Sequence, residues 1–362
     1  MSRVVITGIG CLSAAGIGPD SLRAALQAGR PLGELAEHPG PRGRPRPMRV
    51  ASLPSFERER YLAARRLRRM GELSQIWTIA CLMAQSDAGR KDSESPWPAP
   101  ERRGVLLGSG FGCTDMTWDY LEGLHRDGMA AASPFLFAES VANAPSGQAA
   151  IETDSRGICM TLTCGDASAA AAMVAAERVL RSGRADLVFC GGLEILSPPL
   201  RRPLAAVGDP SHLGEGAACF VLETHDSAVR RGARIIAELS GSGMASDAGC
   251  APNRWSRDPA PIAAAMRRAL SSGGRGEKGA PGSVMLHSCG WTPAEEAERA
   301  AAESACPGAA LRSVAPVVGA HAASGGLALV AAALDTGPEG ILVSAHAWGG
   351  ASYALWLRGI SA

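Results

Sequence analysis

One pattern constrains this chain more than any other. A short run of consecutive apolar residues stops at glycine and gives way to a helix-like segment, and then the pattern recurs. It appears as "RVVITGIG" (3–10), "RRGVLLGSGFG" (102–112), "ICMTLTCGD" (158–166), "ADLVFCGG" (185–192) and "GEGAACFVLET" (214–224). Strands that are apolar at every position are buried on both faces, and a face is covered by the helix that follows each strand. The expected class is therefore α/β. The theme returns more loosely in "RIIAELSGSG", "SVMLHSCG", "GILVSAH" and "ASYALWLRG", with helices "APIAAAMRRALSSGG" and "GGLALVAAAL" between them. Two similar halves are expected, 1–225 and 226–362.

Other segments fill in this frame. "PDSLRAALQAG" reads as a helix with Asp20 or Ser21 near its start and Gly29 at its end. "SQIWTIACLMAQSDAG" is apolar on nearly every side, so it predicts a buried helix. "SPFLFAESVANAPSGQAAIE" predicts a loop and then a helix. "PGPRGRPRPM" (39–48) predicts irregular chain, because proline removes donors and glycine loosens the backbone. "ERERYLAARRLRRM" predicts a basic helix with a solvated face, or a docking surface for an acidic partner.

Composition narrows the function classes. The 362 residues are 46% hydrophobic and 20% charged, with a net charge of +1, which fits a folded soluble protein. That balance offers no electrostatic footprint for nucleic acid or an anionic membrane. The ten cysteines include no CxxC pair, which argues against zinc ribbons and thioredoxin-like chemistry and predicts no metal. Thr7, Gly8 and Gly10 interrupt the first apolar run, so it does not read as a secretory signal. A reducing cytoplasm is the expected setting. Glycines fall at 8, 10 and 16 while Ser13 stands where a dinucleotide fingerprint needs glycine, so no cofactor is expected.

The chemistry concentrates at "TLTCGDASAAAAM" (161–173), where a strand turns sharply into an alanine-rich helix. A nucleophile on such a turn sits at the positive end of the helix dipole. Two candidates compete for that seat. Cys164 there gains thiolate character. Asp166 there is ordinarily a helix cap. His287 and His321 lie at strand-to-turn junctions, and a cysteine with two histidines makes an acyl-transfer set. "SAHAWGGASYALWLRG" by itself says only that a tight turn precedes the last strand.

These motifs in this order resemble the β-ketoacyl synthases. "RVVITGIGCLSAAGIGPDSLRAALQAG" is similar to that family's opening, "HSCGWTP" to its first-histidine motif HGTxTP with one residue inserted, and "HAWGGASYAL" to its terminal GFGGTN segment. The resemblance implies a thiolase-like five-layer αβαβα sandwich of two pseudo-equivalent ketosynthase-like halves, normally dimeric. It also sets the register. The family elbow, roughly S/T-V-S-T-A-C-x-S-G, lays its cysteine on Asp166 and an earlier threonine on Cys164. The second-histidine motif lays its lysine on Ala315 and its histidine on Ala320, one residue before His321.

Losing the nucleophile and the lysine together resembles the chain-length factor, the nucleophile-less subunit of type II polyketide synthases. That implies an active ketosynthase as heterodimeric partner and an acyl carrier protein reached through the complex. The product class would be a polyketide, a polyene among the options. The resemblance also implies a tunnel lined by Phe111, Asp115, Met116, Phe135 and Phe137. The alternative is an active condensing or acyl-transfer enzyme using Cys164 with His287 and His321. A third option is decarboxylation at an elbow that only stabilises an enolate.

Overall fold

The computed structural model describes residues 3–39, 44–89, 97–207, 211–273 and 280–360. The first half contains β1 (Val4–Ser13), β2 (Gly16–Ile17), α1 (Pro19–Ala28), β3 (Glu34–Pro39), β4 (Pro45–Ala51), α2 (Ala64–Leu67) and α3 (Glu72–Asp87). It continues with β5 (Arg103–Gly108), α4 (Thr114–Asp127), α5 (Pro134–Ser140), α6 (Ala144–Glu152), β6 (Cys159–Leu162) and α7 (Ser168–Arg181). Then come β7 (Leu187–Glu194), α8 (Pro198–Val207), β8 (His212–Gly214), β9 (Gly216–Thr224) and α9 (His225–Arg230). The rest comprises β10 (Ala237–Ser246), α10 (Pro259–Ser272), β11 (Ser283–Leu286), α11 (Thr292–Ala305) and β12 (Ala310–Ser313). It ends with α12 (Ala315–Val318), α13 (Gly326–Asp335), β13 (Ile341–His346) and β14 (Ala351–Arg358).

The strands repeat one topology twice. In the first half the order is β1-β9-β7-β5-β6, and in the second it is β10-β14-β13-β11-β12. In each set the first two pairings are antiparallel and the last two parallel. The two sets join where Val4, Val5 and Ile6 pair with Leu239, Glu238 and Ala237. The α/β class and its two similar halves are thus as expected.

Helices make the other three layers. α3 covers the outer face of the first sheet, with Ile76, Trp77, Ile79 and Ala80 fully buried. α10 and α11 cover the outer face of the second, around Met266, Ala301 and Trp356. α7 and α13 lie between the sheets and touch strands of both. Their alanine runs permit this, because a middle helix must come close to a sheet on either side. Each large apolar side chain removed from water here contributes about 1.5–3 kcal/mol.

Several expectations need correction. Gly8 and Gly10 do not end the first strand but lie within it; a Cβ on Gly10 would come 1.9 Å from the Ala80 carbonyl of α3. The proline- and arginine-rich stretch is not wholly irregular, since β3 and β4 form a hairpin that uses Pro45–Met48. Pro45 and Pro47 are tolerated in β4 because β8 pairs only with its Arg49–Ala51 end, so the proline end has a strand neighbour on the β3 side alone. Residues 40–43 of that stretch lie outside the described residues. The basic helix is instead a 3₁₀ turn at Arg58–Arg60 and the single turn of α2. The 133–152 stretch forms two helices, not a loop and one helix.

Candidate active site

The elbow is built by local hydrogen bonds. β6 ends at Leu162, Gly165 turns the chain at φ +52°, and α7 begins at Ser168. The Ser168 hydroxyl accepts the Cys164 N–H at 2.9 Å and donates to the Gly165 carbonyl. The cap of α7 is Ala167, which offers no side-chain bond. Asp166 is therefore not the expected helix cap. Its Oδ1 is engaged by His321 Nδ1, and its Oδ2 faces His287 Nε2 at 3.6 Å.

Two distant segments bring the histidines in. His287 follows β11 in a turn gripped by the buried Glu298 of α11. Glu298 Oε1 accepts the His287 N–H at 2.7 Å, and Oε2 accepts the Ser288 N–H at 3.0 Å. His321 stands at φ +63°, a conformation that costs energy in a non-glycine residue. Its neighbour Ala320 is tied to β8 through Gly214 N–H and the His212 carbonyl. His321, not residue 320, thus reaches the elbow, as one extra residue in that motif requires.

Charge at the centre follows from these contacts. Burial alone would raise the Asp166 pKa, but the charges and hydrogen bonds of His321 and His287 outweigh it and hold the carboxyl well below the usual range. Burial alone would lower that of His321, but Asp166 and then Glu194 more than compensate and raise it. The pair is a buried carboxylate–imidazolium. A second buried pair lies behind it. His346 Nε2 is 3.0 Å from Glu298 Oε1; burial alone would raise the Glu298 pKa, but His346, and then His287 and the Ser288 N–H, hold it at about 2.

Cys164 is placed differently. Its backbone N–H donates to Ser168, its carbonyl accepts the Ala167 N–H, and its Sγ accepts from the Tyr353 hydroxyl at 3.7 Å. Burial, and then this bond, push Tyr353 up to about 12. The structure therefore unites Asp166, His287 and His321 and leaves Cys164 turned toward β14.

Aromatic side chains ring the pair. Phe111 meets the His321 ring edge-on at 5.4 Å and Trp348 at 6.3 Å. Trp255 closes the series against Trp348 at 6.1 Å and His287 at 5.9 Å. The Gly110 and Phe111 N–H groups donate to the buried Glu194, which fixes that loop. A cleft of about 870 Å³ opens here, with Trp255, Trp291, Trp348, Arg254 and His321 in its wall.

The other tunnel candidates are elsewhere. Asp115 and Met116 are half-buried at the start of α4, where burial raises the Asp115 pKa. Phe135 and Phe137 on α5 are 43% and 58% exposed. Sequence reasoning missed Glu298, His346, Trp255 and Trp348. His346 and Trp348 lay in a stretch that signals only a turn, and Glu298 in a helix whose acidity looks like a solvated face. Among the described residues, no group of three or more histidines, cysteines or carboxylates is arranged to hold a metal ion.

Comparison with known proteins adds a family and a fold. Residues 1–208 match the model for the N-terminal domain of the β-ketoacyl synthases. The 3-oxoacyl-[acyl-carrier-protein] synthase 2 of Vibrio cholerae is 30% identical over 268 residues, 68% of this chain and 64% of that protein. Nodulation protein E of Rhizobium meliloti is 30% identical over 264 residues, with the same coverage of 68% and 64%. The match thus spans just under two thirds of these relatives. Among solved structures, the ishigamide ketosynthase/chain length factor superposes with a TM-score of 0.82 at 24% identity, over 99% of this chain and 100% of that one. A β-ketoacyl synthase from Burkholderia phymatum gives 0.83 at 24% identity over the full length of both.

Proposed function

The chain belongs to the β-ketoacyl synthase family, and from that premise we propose that it is a chain-length factor. In this reading it does not itself condense acyl units. It pairs with an active ketosynthase and shapes the acyl tunnel in type II polyketide assembly, of which polyenes are one product class.

One observation carries the reading. A carboxylate, held ionised by two histidines, stands where the sequence resemblance lays the family's nucleophile. A thiolate takes an acyl chain as a thioester. A carboxylate would have to form a mixed anhydride of much higher energy. Cys164, the alternative, bonds to Tyr353 and Ser168 rather than to either histidine. Ala315, in the register of the family's lysine, supplies no charge.

Surface features support partners. α4 packs on α5, α5 on α6, and α6 on β6, which among the described residues is an edge strand paired only with β5. Trp118, Leu121, Phe137, Ile151 and Met160 of these elements are 41–66% exposed. Apolar side chains gathered on one side of a soluble protein mark an interaction surface, and an edge strand adds unpaired backbone groups. We assign this side to the ketosynthase subunit. Arg65, Arg68 and Arg69 are exposed at the turn around α2 and suit an acidic carrier protein reached through the complex. The ten cysteines are all free thiols, which suits a reducing cytoplasm. No helix among the described residues is long and apolar enough to cross a membrane. Phe111, Asp115, Met116, Phe135 and Phe137 remain our candidates for setting chain length. Of these, Phe111 touches the histidine pair.

The test is co-expression with a ketosynthase from the same gene neighbourhood, followed by size-exclusion chromatography and product analysis. A 1:1 complex is expected, with product length altered by Phe111→Ala. Condensation of an acyl thioester with malonyl carrier protein by the purified chain alone would overturn the proposal. An acyl adduct seen by intact mass and lost in Cys164→Ala would favour the active-enzyme reading instead.

A further inference from the structure

Three cavities share wall residues beside His287 and His321. Cys289 and His321, which line the large cleft, also line a cavity of about 20 Å³ beside His287. That small cavity shares Ser288, Ala315 and Ala320 with a second cleft of about 320 Å³, which also touches His212 and Arg299. The small cavity thus lies between two open clefts and shares wall residues with each, which makes it the candidate neck between them. Alanine at 315 and 320 keeps it open, because a longer side chain at either place would enter it.

The neck has the size and the partners for one water. A cavity needs roughly 10–15 Å³ to hold a water, and the water needs two or more polar contacts. His287 Nε2 and His321 Nε2 are both buried and make no close hydrogen bond; His287 Nε2 keeps its 3.6 Å contact with Asp166 Oδ2, which leaves His321 Nε2 as the free nitrogen. Asp166 engages His321 through Nδ1, so the ring is oriented with Nε2 as its free end. A carboxylate that holds one imidazole nitrogen while the other meets water is the arrangement of a general base.

We propose that Asp166 and His321 form a water-activating dyad that hydrolyses acyl thioesters presented in the large cleft, with water supplied through the neck. The proposal takes its substrate class from the family reading above but requires no condensation. His321 Nε2 accepts a proton from water as the water oxygen bonds to the acyl carbon. The carbon–sulfur bond then breaks, and the same nitrogen returns the proton to the leaving sulfur. The products are a carboxylic acid and a thiol. His321 is the group that touches the reacting water, and Asp166 positions it.

The pH dependence follows from what faces His321. Asp166 approaches from the elbow, Glu194 from β7 and His287 from the turn after β11, with Asp247, Arg254 and Arg257 in the cleft wall. The two carboxylates stabilise the imidazolium, so the base form accumulates only above the ordinary value of 6.5. Hydrolysis therefore rises with pH to an alkaline plateau.

The experiment follows thiol release from an S-acyl N-acetylcysteamine thioester with the full-length chain. Asp166→Asn should lower the plateau by about 10²-fold and move its midpoint to lower pH. A merely structural role would lower the rate without that shift. Ala315→Leu, which fills the neck, should lower the rate severalfold with KM unchanged. If Asp166→Asn does not fold by near-ultraviolet dichroism, His321→Gln replaces it and should abolish the plateau. Thiol release no faster than in buffer overturns the proposal, as does an Asp166→Asn or His321→Gln plateau equal to that of the parent. An Ala315→Leu rate equal to the parent's overturns the water route. A failure of the chain-length reading shows separately, as the absence of a complex with a ketosynthase.

Discussion

Asp166 is held by residues more than a hundred positions away in sequence, and its energetics depend on them. Its carboxyl is depressed below the ordinary 3.8 and the imidazole of His321 is raised above the ordinary 6.5. The depressed acid contributes stability above its unfolded pKa, and loses it as pH falls through the folded value. The raised base contributes stability below its unfolded pKa, and loses it as pH rises through the folded value. Both contributions are complete between about pH 4 and 6.5. Asp166→Asn should therefore cost most in that window, about 3 kcal/mol for a buried pair deprived of one partner. Urea denaturation of both proteins across pH 3–9 should show the difference shrinking on either side; a difference independent of pH would refute the ion pair. Register alone placed Asp166 in the nucleophile's seat. Capping was the wrong inference, because a sequence shows the helix two residues ahead but not a histidine arriving from another segment. Glu298 and His346 were illegible for the same reason, since each is meaningful only beside the other.

The glycines that close the apolar runs are element-scale devices more than turn signals. Gly108, the last residue of β5, lies under the first turn of α7, where a Cβ would come 2.2 Å from the Ser168 carbonyl. Gly192 in β7 lies under Ala169 and the Ala323 carbonyl in the same way. These contacts set the height of α7 and hence of the elbow. Gly108→Ala should displace the helix, cost about 3 kcal/mol in urea denaturation and disturb the Asp166–His321 contact. Gly123 provides the contrast. It lies in helical α4 with nothing near its Cβ position, so Gly123→Ala should stabilise by about 0.5–1 kcal/mol. Equal effects at the two positions would refute the argument. Continuous burial made the long strands and α3 legible. The hairpin of β3 and β4 was not, because proline argues against a strand unless one side of it is left unpaired, as β8 leaves Pro45 and Pro47. The basic segment at 57–70 had helical composition, yet the chain breaks it into two short turns around the buried Leu62 and Leu67.

At the scale of the molecule, the two halves have the same strand order and, besides an outer apolar cluster in each, share a central one. We propose a boundary at 225/226, one residue into α9 and just after β9 ends at Thr224. α7 comes from the first half and α13 from the second, and they share one layer. Ala169–Met173 and Leu327–Ala333 belong to a single apolar cluster that also draws in Ile6, Phe220, Val343 and Leu355 from strands of both halves. A first half expressed alone would expose the inner face of its sheet and one side of α7, a loss of buried apolar area that a fold of modest net stability does not survive. Residues 1–225 alone should therefore be insoluble, or should lack a cooperative urea transition. Co-expressed with 226–362, they should yield a soluble complex that elutes as one species and binds as the intact chain does. A cooperative transition for 1–225 alone would mean that the shared middle layer is not what holds the halves together. The Asp166 cluster follows the same logic, since Asp166 comes from one half and His287 and His321 from the other, so neither half on its own assembles it.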